Sequence, residues 1–492
     1  MNHQGSDHRS ILRTIARQAM LERGFAPDFE PPVLAEVAAL SSGLPRQDGV
    51  IRDLTNLPWF SMDNDDSRDL DQVSVSERLD GGAVKVLVGI ADVDALAEKG
   101  SATDGHARTN TTSVYTTGGT FTMLPERLSF DLTSLNEDEE RLACVVEMVI
   151  SSEGAMLSSD LYRARVKNHA RLSYNAVAAW LDGTGPVPDR IRENPEVEDQ
   201  VRMQDEVARD LKEIRYENGA LSLYSIEARP VFEGGTLTDL KPERPNRAKE
   251  LIENLMIAAN GATARFLESR GVPSIRRVVR EPARWNRIVE LAAQYGEKLP
   301  ADPDSKALST FLVLRKKADP VRFPDLSLSV VKLMGPGEYT VELPGGTSPG
   351  HFGLAAKDYT HSTAPNRRYP DLITQRLVKA AVSRSPTPYS SDTLMELARH
   401  CTLKENDATK VERRLKKSAA ALVLSSRIGD TFDGFVTGAA DKGTWVRILH
   451  PPAEGRVVQG SSGLDVGDRV TVRLIDTDVE RGFIDFARAR NH

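Results

Sequence analysis

The chain has 492 residues, a formal net charge of −7, and is 40% hydrophobic and 27% charged. That composition fits ordinary globular domains, two to four of them at this length, and excludes collagen-like, largely disordered and disulfide-stapled classes. Cys144 and Cys401 are the only cysteines, too few for a disulfide framework or a thiolate zinc site, and the nine histidines are scattered. No apolar run is long enough to span a bilayer. Met1–Ser10 lacks the apolar stretch of a signal peptide, so a cytoplasmic chain with no membrane partner is expected.

Residues 1–45 read as a small helical unit. Ile11, Leu12, Ile15, Ala16, Ala19 and Met20 recur at helical spacing, and Gly24 is placed to end that helix. Pro31-Pro32 opens a second helix through Val33, Leu34, Val37 and Leu40. The pair fits either a helix-turn-helix-like module or two plain packing helices. Residues 46–427 form the next region. Val84–Ile90 and Ala143–Ile150 read as strands, 246–268 as an amphipathic helix, and 366–384 and 391–427 as further helices separated by a Ser/Pro/Thr loop. From residue 428 onward, glycines punctuate short alternating strands, the pattern of a five-stranded OB-type barrel at 428–492. The expected class is an α+β multidomain protein with mixed sheets and helices between a helical start and a β-barrel.

Charge is uneven along the chain. Residues 51–160 carry eight basic against 21 acidic side chains, whereas 362–427 carry 13 against six. The densest acidic stretch holds Asp63, Asp65, Asp66, Asp69 and Asp71 within nine residues. Close carboxylates raise one another's pKa, and a hard divalent cation resolves that repulsion with oxygen ligands. Asp69 and Asp71 point the same way if the segment is extended, and Asp63 can join them across a turn. A calcium EF-hand does not fit, because its sixth position falls on Arg68 rather than Gly and its twelfth on Ser74 rather than Glu. A solvated acidic loop is the competing reading.

The spacing Asp63-x5-Asp69-x-Asp71, followed by Val88-Gly89-Ile90-Ala91-Asp92-Val93, resembles the signature of the ribonuclease II/ribonuclease R (RNB) family. Further matches follow in order: Arg108–Tyr115, Met123–Ser129, Leu251–Asn260, His351–Leu354 and Tyr359–Asp371. The resemblance covers about residues 50–425 and implies an RNB-type catalytic domain. It implies processive 3′→5′ hydrolysis of single-stranded RNA with a free 3′ end to nucleoside 5′-monophosphates, by a monomer using two-metal chemistry. By motif, Asp63, Asp69 and Asp71 would hold Mg²⁺, with Mn²⁺ as the alternative ion. Gln72 stands where the family often has a fourth carboxylate, and it brings no charge. The family's usual pair of cold-shock-type barrels has no room in the first 50 residues, which implies a different RNA entry.

Arg367 matches the family's catalytic arginine, which would hold the scissile phosphate and its transition-state charge. Arg368 is a second phosphate contact or a structural residue, and Asp371 either orients an arginine or caps the turn. Tyr115 matches a tyrosine near the 3′-terminal nucleotide, with Tyr224 and Phe232 as candidates for a second stacking ring. Glu412 resembles a glutamate that contacts terminal riboses; an intrahelical pair with Lys416 competes with that role. Spacing alone adds Arg163, Arg165, Lys167, His169 and Arg171, which would share one strand face as a phosphate-binding stripe or as a solvated surface. Two other functions compete with the exoribonuclease. One is a catalytically impaired RNA-binding protein of the same fold; the other is a carboxylate-metal phosphodiesterase for small nucleotides.

Overall fold

The computed structural model describes residues 7–41, 50–224, 228–242, 245–440 and 443–489. The domain boundary drawn at residue 45 lies outside the described residues. In chain order the first elements are α1 (His8–Leu21), α2 (Pro31–Ala39), β1 (Arg52–Asp53), β2 (Phe60–Asp63), β3 (Gln72–Arg78) and β4 (Val84–Ala91). Next come α3 (Ala102–Asn110), β5 (Val114–Thr116), β6 (Gly119–Phe121), β7 (Glu140–Ile150), β8 (Met156–Lys167) and β9 (Ala170–Ser173). Helices α4 (Tyr174–Leu181), α5 (Asp189–Glu193) and α6 (Pro195–Glu217) lead to the hairpin β10 (Ala228–Glu233) and β11 (Thr236–Pro242).

After α7 (Arg247–Ser269) and β12 (Ser274–Val278) comes a helical insertion. It comprises α8 (Trp285–Gln294), α9 (Ser305–Ala318) and α10 (Phe323–Met334). The chain continues through β13 (Glu338–Glu342), α11 (Tyr369–Ser383) and the 34-residue α12 (Ser391–Leu424). It ends in β14 (Thr431–Ala440), β15 (Gly443–Ile448), β16 (Ala453–Gln459), β17 (Arg469–Asp478) and β18 (Phe483–Arg488).

Seven strands form the central sheet in the order β1-β8-β7-β4-β3-β2-β9. Pairing is antiparallel across its middle and parallel at both edges. The Val, Ile and Leu side chains of β3, β4, β7 and β8 share one large core with Leu251, Leu255 and Ala259 of α7 and Leu372, Ile373 and Leu377 of α11. Burial of this apolar surface, at roughly 25 cal/mol per Å², is what fixes both helices against the sheet. The last five strands close into a barrel, β14-β15-β16-β18-β17, consistent with an OB-fold. Arg447 of β15 makes a two-pronged pair with Asp325 of α10 at 2.9 and 2.7 Å, tying barrel to insertion.

The two N-terminal helices pack on different parts of the body. Leu12, Ile15, Ala19 and Met20 of α1 join a core with Val411, Leu415 and Ala419 of α12, whereas Val37 of α2 belongs to the core of the central sheet. The expected helix at 366–384 starts three residues later, at Tyr369. Asp371 accepts from the Ala364 N–H (2.8 Å) and the Arg368 guanidinium (2.7 Å), holding 364–368 as a turn. Asp371 therefore both orients an arginine and caps the turn.

Candidate active site

Four segments converge at the carboxylate loop: the loop itself after β2, the β5–β6 hairpin, the turn before α11, and the middle of α12. Between Asp69 and Asp71, Leu70 is 2% exposed, which turns the aspartates to the opposite side of an extended segment. That segment is pinned at the backbone. The Leu70 N–H donates to Ser134 Oγ (3.0 Å), the Leu135 N–H donates to the Leu70 carbonyl (3.0 Å), and the Ala91 N–H donates to the Asp71 carbonyl (3.0 Å).

Asp71 is buried. Its Oδ2 accepts from Arg367 Nε at 2.8 Å, while its Oδ1 is buried with no hydrogen-bond partner. Burial pushes the Asp71 carboxyl up to about 7, against the pull of Arg367. Burial likewise raises the Asp69 carboxyl above its usual range; Arg367 opposes the shift and Asp63 adds to it. Asp69 Oδ2 accepts from the Tyr115 hydroxyl at 3.2 Å, and the Tyr115 N–H donates to Glu412 Oε1 at 3.2 Å. Asp63 Oδ1 accepts from the Asn64 N–H (2.7 Å) and the Ser67 hydroxyl (2.8 Å). Gln72 opens β3 beside Asp71 and is half-buried.

Arg367 is carried by a backbone stitched to the hairpin strand. The Ser113 N–H and Thr112 hydroxyl donate to its carbonyl at 2.9 and 3.2 Å, and the Tyr369 N–H donates to the Thr111 carbonyl at 2.8 Å. Sequence reading missed the network behind it. The fully buried Arg376 of α11 donates to Asp94 and Asp104 (both 2.7 Å), to the Tyr389 hydroxyl (2.8 Å) and to the Ala97 carbonyl (2.7 Å), while the Tyr369 hydroxyl donates to Asp104 (2.9 Å).

The unpartnered Asp71 Oδ1 and the adjoining Asp69 and Asp63 fit a hard divalent cation, since a buried carboxylate oxygen without a donor is costly. The three carboxylates do not each bring an oxygen within 4.8 Å of the others. Among the described residues only Glu268, Glu342 and Asp358 do so, and there the buried Arg276 guanidinium already lies 3.2 Å from Glu342.

The basic stripe does not form as one free face. Alternation holds from Arg163 to Lys167, but the strand stops there, and the side chains meet carboxylates across the sheet. Arg163 donates to the fully buried Asp92 at 3.1 and 2.8 Å, Arg165 pairs with Asp53 (2.5 Å) and Glu140 (3.2 Å), and Lys167 with Asp138 (3.4 Å). His169 contacts the Thr55 carbonyl at 2.9 Å, and Arg171 donates to the Ser67 carbonyl at 2.5 Å, bracing the acidic loop. Phe232 packs under the Arg9 guanidinium (4.6 Å), and Tyr224 lies against the helical insertion.

An arginine paired to a buried carboxylate beside further carboxylates, with an OB-type barrel attached, defines the class: an α+β multidomain protein with a carboxylate–arginine centre. The particular assignment follows from likeness. Residues 51–384 match the RNB domain and 430–489 the RNase II-type exonuclease C-terminal S1 domain, so the chain belongs to the RNB family. It is 29% identical to ribonuclease R 1 of Lactococcus lactis over 93% of this chain, and spans 59% of that relative's length. The fold is similar to that of Mycoplasma genitalium RNase R in complex with ribose methylated single-stranded RNA (TM-score 0.87, 22% identity, 97% of this chain and 78% of that one). It is also similar to yeast Ssd1, a pseudonuclease (TM-score 0.70, 17% identity, 90% and 55%). Among the described residues no helix is long and apolar enough to cross a membrane.

Proposed function

We propose that the chain is a metal-dependent exoribonuclease that shortens single-stranded RNA from its free 3′ end. The observation that carries this reading is the buried, half-satisfied Asp71 carboxylate facing Arg367. Asp63, Asp69 and Asp71 would hold Mg²⁺ or Mn²⁺. When bound, such an ion supplies an activated water and neutralises charge on the leaving oxygen. Arg367 has the geometry to hold a phosphate and the negative charge of its transition state. Tyr115, exposed at 43%, offers a ring for the terminal nucleotide, and Glu412 on α12, which accepts from the Tyr115 N–H, can accept from a 2′-hydroxyl.

Substrate approach draws its support from α12 rather than from the stripe. Arg413, Lys416 and Lys417 on α12 are exposed and line a 180 Å³ cavity with Thr117 of the hairpin and Pro452–Glu454 of the barrel. None of the three forms an ion pair among the described residues, so they are free to meet phosphates running from barrel to hairpin. The second reading, an RNA-binding protein without hydrolysis, draws on Gln72 and on the wide spacing of the carboxylates.

The deciding experiment uses a 5′-labelled RNA of about 30 nucleotides, with a DNA of the same sequence, in Mg²⁺ and in EDTA. Shortening of RNA alone, only with Mg²⁺, and lost in Asp71→Asn, supports the exoribonuclease. RNA retained intact at every metal tested supports the binding protein.

A further inference from the structure

Tyr115 sits on a two-stranded hairpin whose back is covered by α1, a helix ahead of the RNB domain. The turn of that hairpin, Thr117-Gly118, lies directly on the α1 backbone. A Cβ at Gly118 would come 2.4 Å from the Arg13 nitrogen and 2.6 Å from the Leu12 carbonyl carbon, so no other residue fits without parting the two. Val114, next to Tyr115, and its cross-strand partner Phe121 are buried in one core with Leu12 and Ile15 of α1 and Val411 and Leu415 of α12. Over the front of that core the Arg13 guanidinium covers the Phe121 ring at 4.9 Å.

Helix α1 is itself fastened to the element that bears Glu412. Glu22 pairs with Arg414 at 2.8 Å, Arg23 with Asp407 at 3.3 Å, and the Lys404 ammonium donates to the Gly24 carbonyl. Tyr115 and Glu412 thus emerge from a three-part sandwich of α1, hairpin and α12. Alternation along β5 sends Val114 into that sandwich and leaves Tyr115 outside it, with its hydroxyl on Asp69.

We propose that α1 is a positioning element for the 3′-end pocket: the Leu12–Arg13 backbone seats Gly118, and that seat sets the height of Tyr115 over the terminal nucleotide. The proposal rests on the exoribonuclease reading and adds to it that Leu12, Arg13 and Gly118 act on substrate through Tyr115. The dependence is greatest for short RNAs, which have few other contacts to hold them.

The test is a double-mutant cycle on the full chain, with kcat and KM measured on a pentanucleotide and on an RNA of about 30 nucleotides. Gly118→Ala lifts the hairpin. It should cost as much as losing one stacked base, about 5- to 150-fold in kcat/KM on the pentanucleotide, mostly through KM. In a Tyr115→Ala background the same substitution should change kcat/KM less than about twofold, because nothing remains to be mispositioned. Arg13→Ala, an exposed change that leaves the fold in place, should show the same dependence on Tyr115 at about two- to fivefold. Gly105→Ala, in open space on α3, should behave as wild type. If Gly118→Ala fails to fold, Arg13→Ala decides. Equal losses with and without Tyr115, or unchanged pentanucleotide kinetics in an active protein, overturn the proposal. A wild-type chain that shortens no RNA overturns the exoribonuclease reading and this one with it.

Discussion

Asp71 offers the sharpest test of the metal reading. Its carboxyl is raised from 3.8 to about 7, with burial as the leading cause. A carboxyl raised on folding binds more protons in the folded state between those two values. Its contribution to stability is therefore present at low pH and lost as pH rises toward 7. A gap of about 3 pH units at ~1.4 kcal/mol each sets an upper limit near 4 kcal/mol for the cost of keeping Asp71 ionised in the metal-free fold. A divalent cation at Oδ1 must expel that proton. At pH 6 a group with a pKa near 7 is about 90% protonated, and at pH 8.5 about 3%. Mg²⁺ binding should thus release about 0.9 proton from Asp71 at pH 6 and almost none at pH 8.5. Asp69, also raised, adds to the release at the lower pH. Titration calorimetry in two buffers of different ionisation enthalpy reads this directly. Asp71→Asn should remove the larger part of the release and flatten the fall in metal-free stability between pH 5.5 and 8. Proton release that is equal at both pH values, or unaltered in Asp71→Asn, would refute the placement of the cation at this carboxylate.

Two further outcomes follow from charges elsewhere. Arg376→Met leaves the buried Asp104 without its cation, and leaves Asp94 with Lys379 alone, and should cost about 3–5 kcal/mol of stability, read as a lowered midpoint in urea, whereas an exposed change such as Arg287→Met should cost almost nothing. Changing Arg413, Lys416 and Lys417 together to Gln should reduce the slope of log K against log salt for single-stranded RNA by about 2, at roughly 0.7 per phosphate; an unaltered slope would remove this face from the RNA path.

Periodicity made the strands, the buried helix α7 and the barrel legible, because each is dictated by its own apolar pattern. The pairing of Asp71 with Arg367 is of another kind. These residues are 296 apart, and only the order of motifs, not any local spacing, could bring them together. The stripe at Arg163–Arg171 shows why local pattern fails for charge. Alternation reports which way a side chain leaves its strand, but not that Asp92, Asp53, Glu140 and Asp138 wait beside it. The late start of α11 has a similar cause. Asp371 caps the turn by bonding backward to Ala364, and a carboxylate at that position reads equally well as an ordinary helical residue.

The uneven charge along the chain is largely internal stitching. Asp92, Asp94 and Asp104 of the acidic region are bound by Lys379 and Arg376 of α11, and Asp71 by Arg367 just ahead of it. These pairs fix the helix whose first turn presents Arg367, so much of the asymmetry is spent on geometry rather than on ligands. What is left over is informative. On the acidic side, Asp63 and Asp69 have no ion pair among the described residues, and Asp71 keeps one unbonded oxygen. On the basic side, Arg413, Lys416 and Lys417 stand beside the same hairpin with no ion pair among the described residues. A chain that needed only to fold could have paired these remnants with each other across Tyr115. On the proposed reading, keeping them apart leaves one set to hold a cation and the other to hold phosphates. That separation is what a metal-assisted cut at the end of a threaded RNA strand requires.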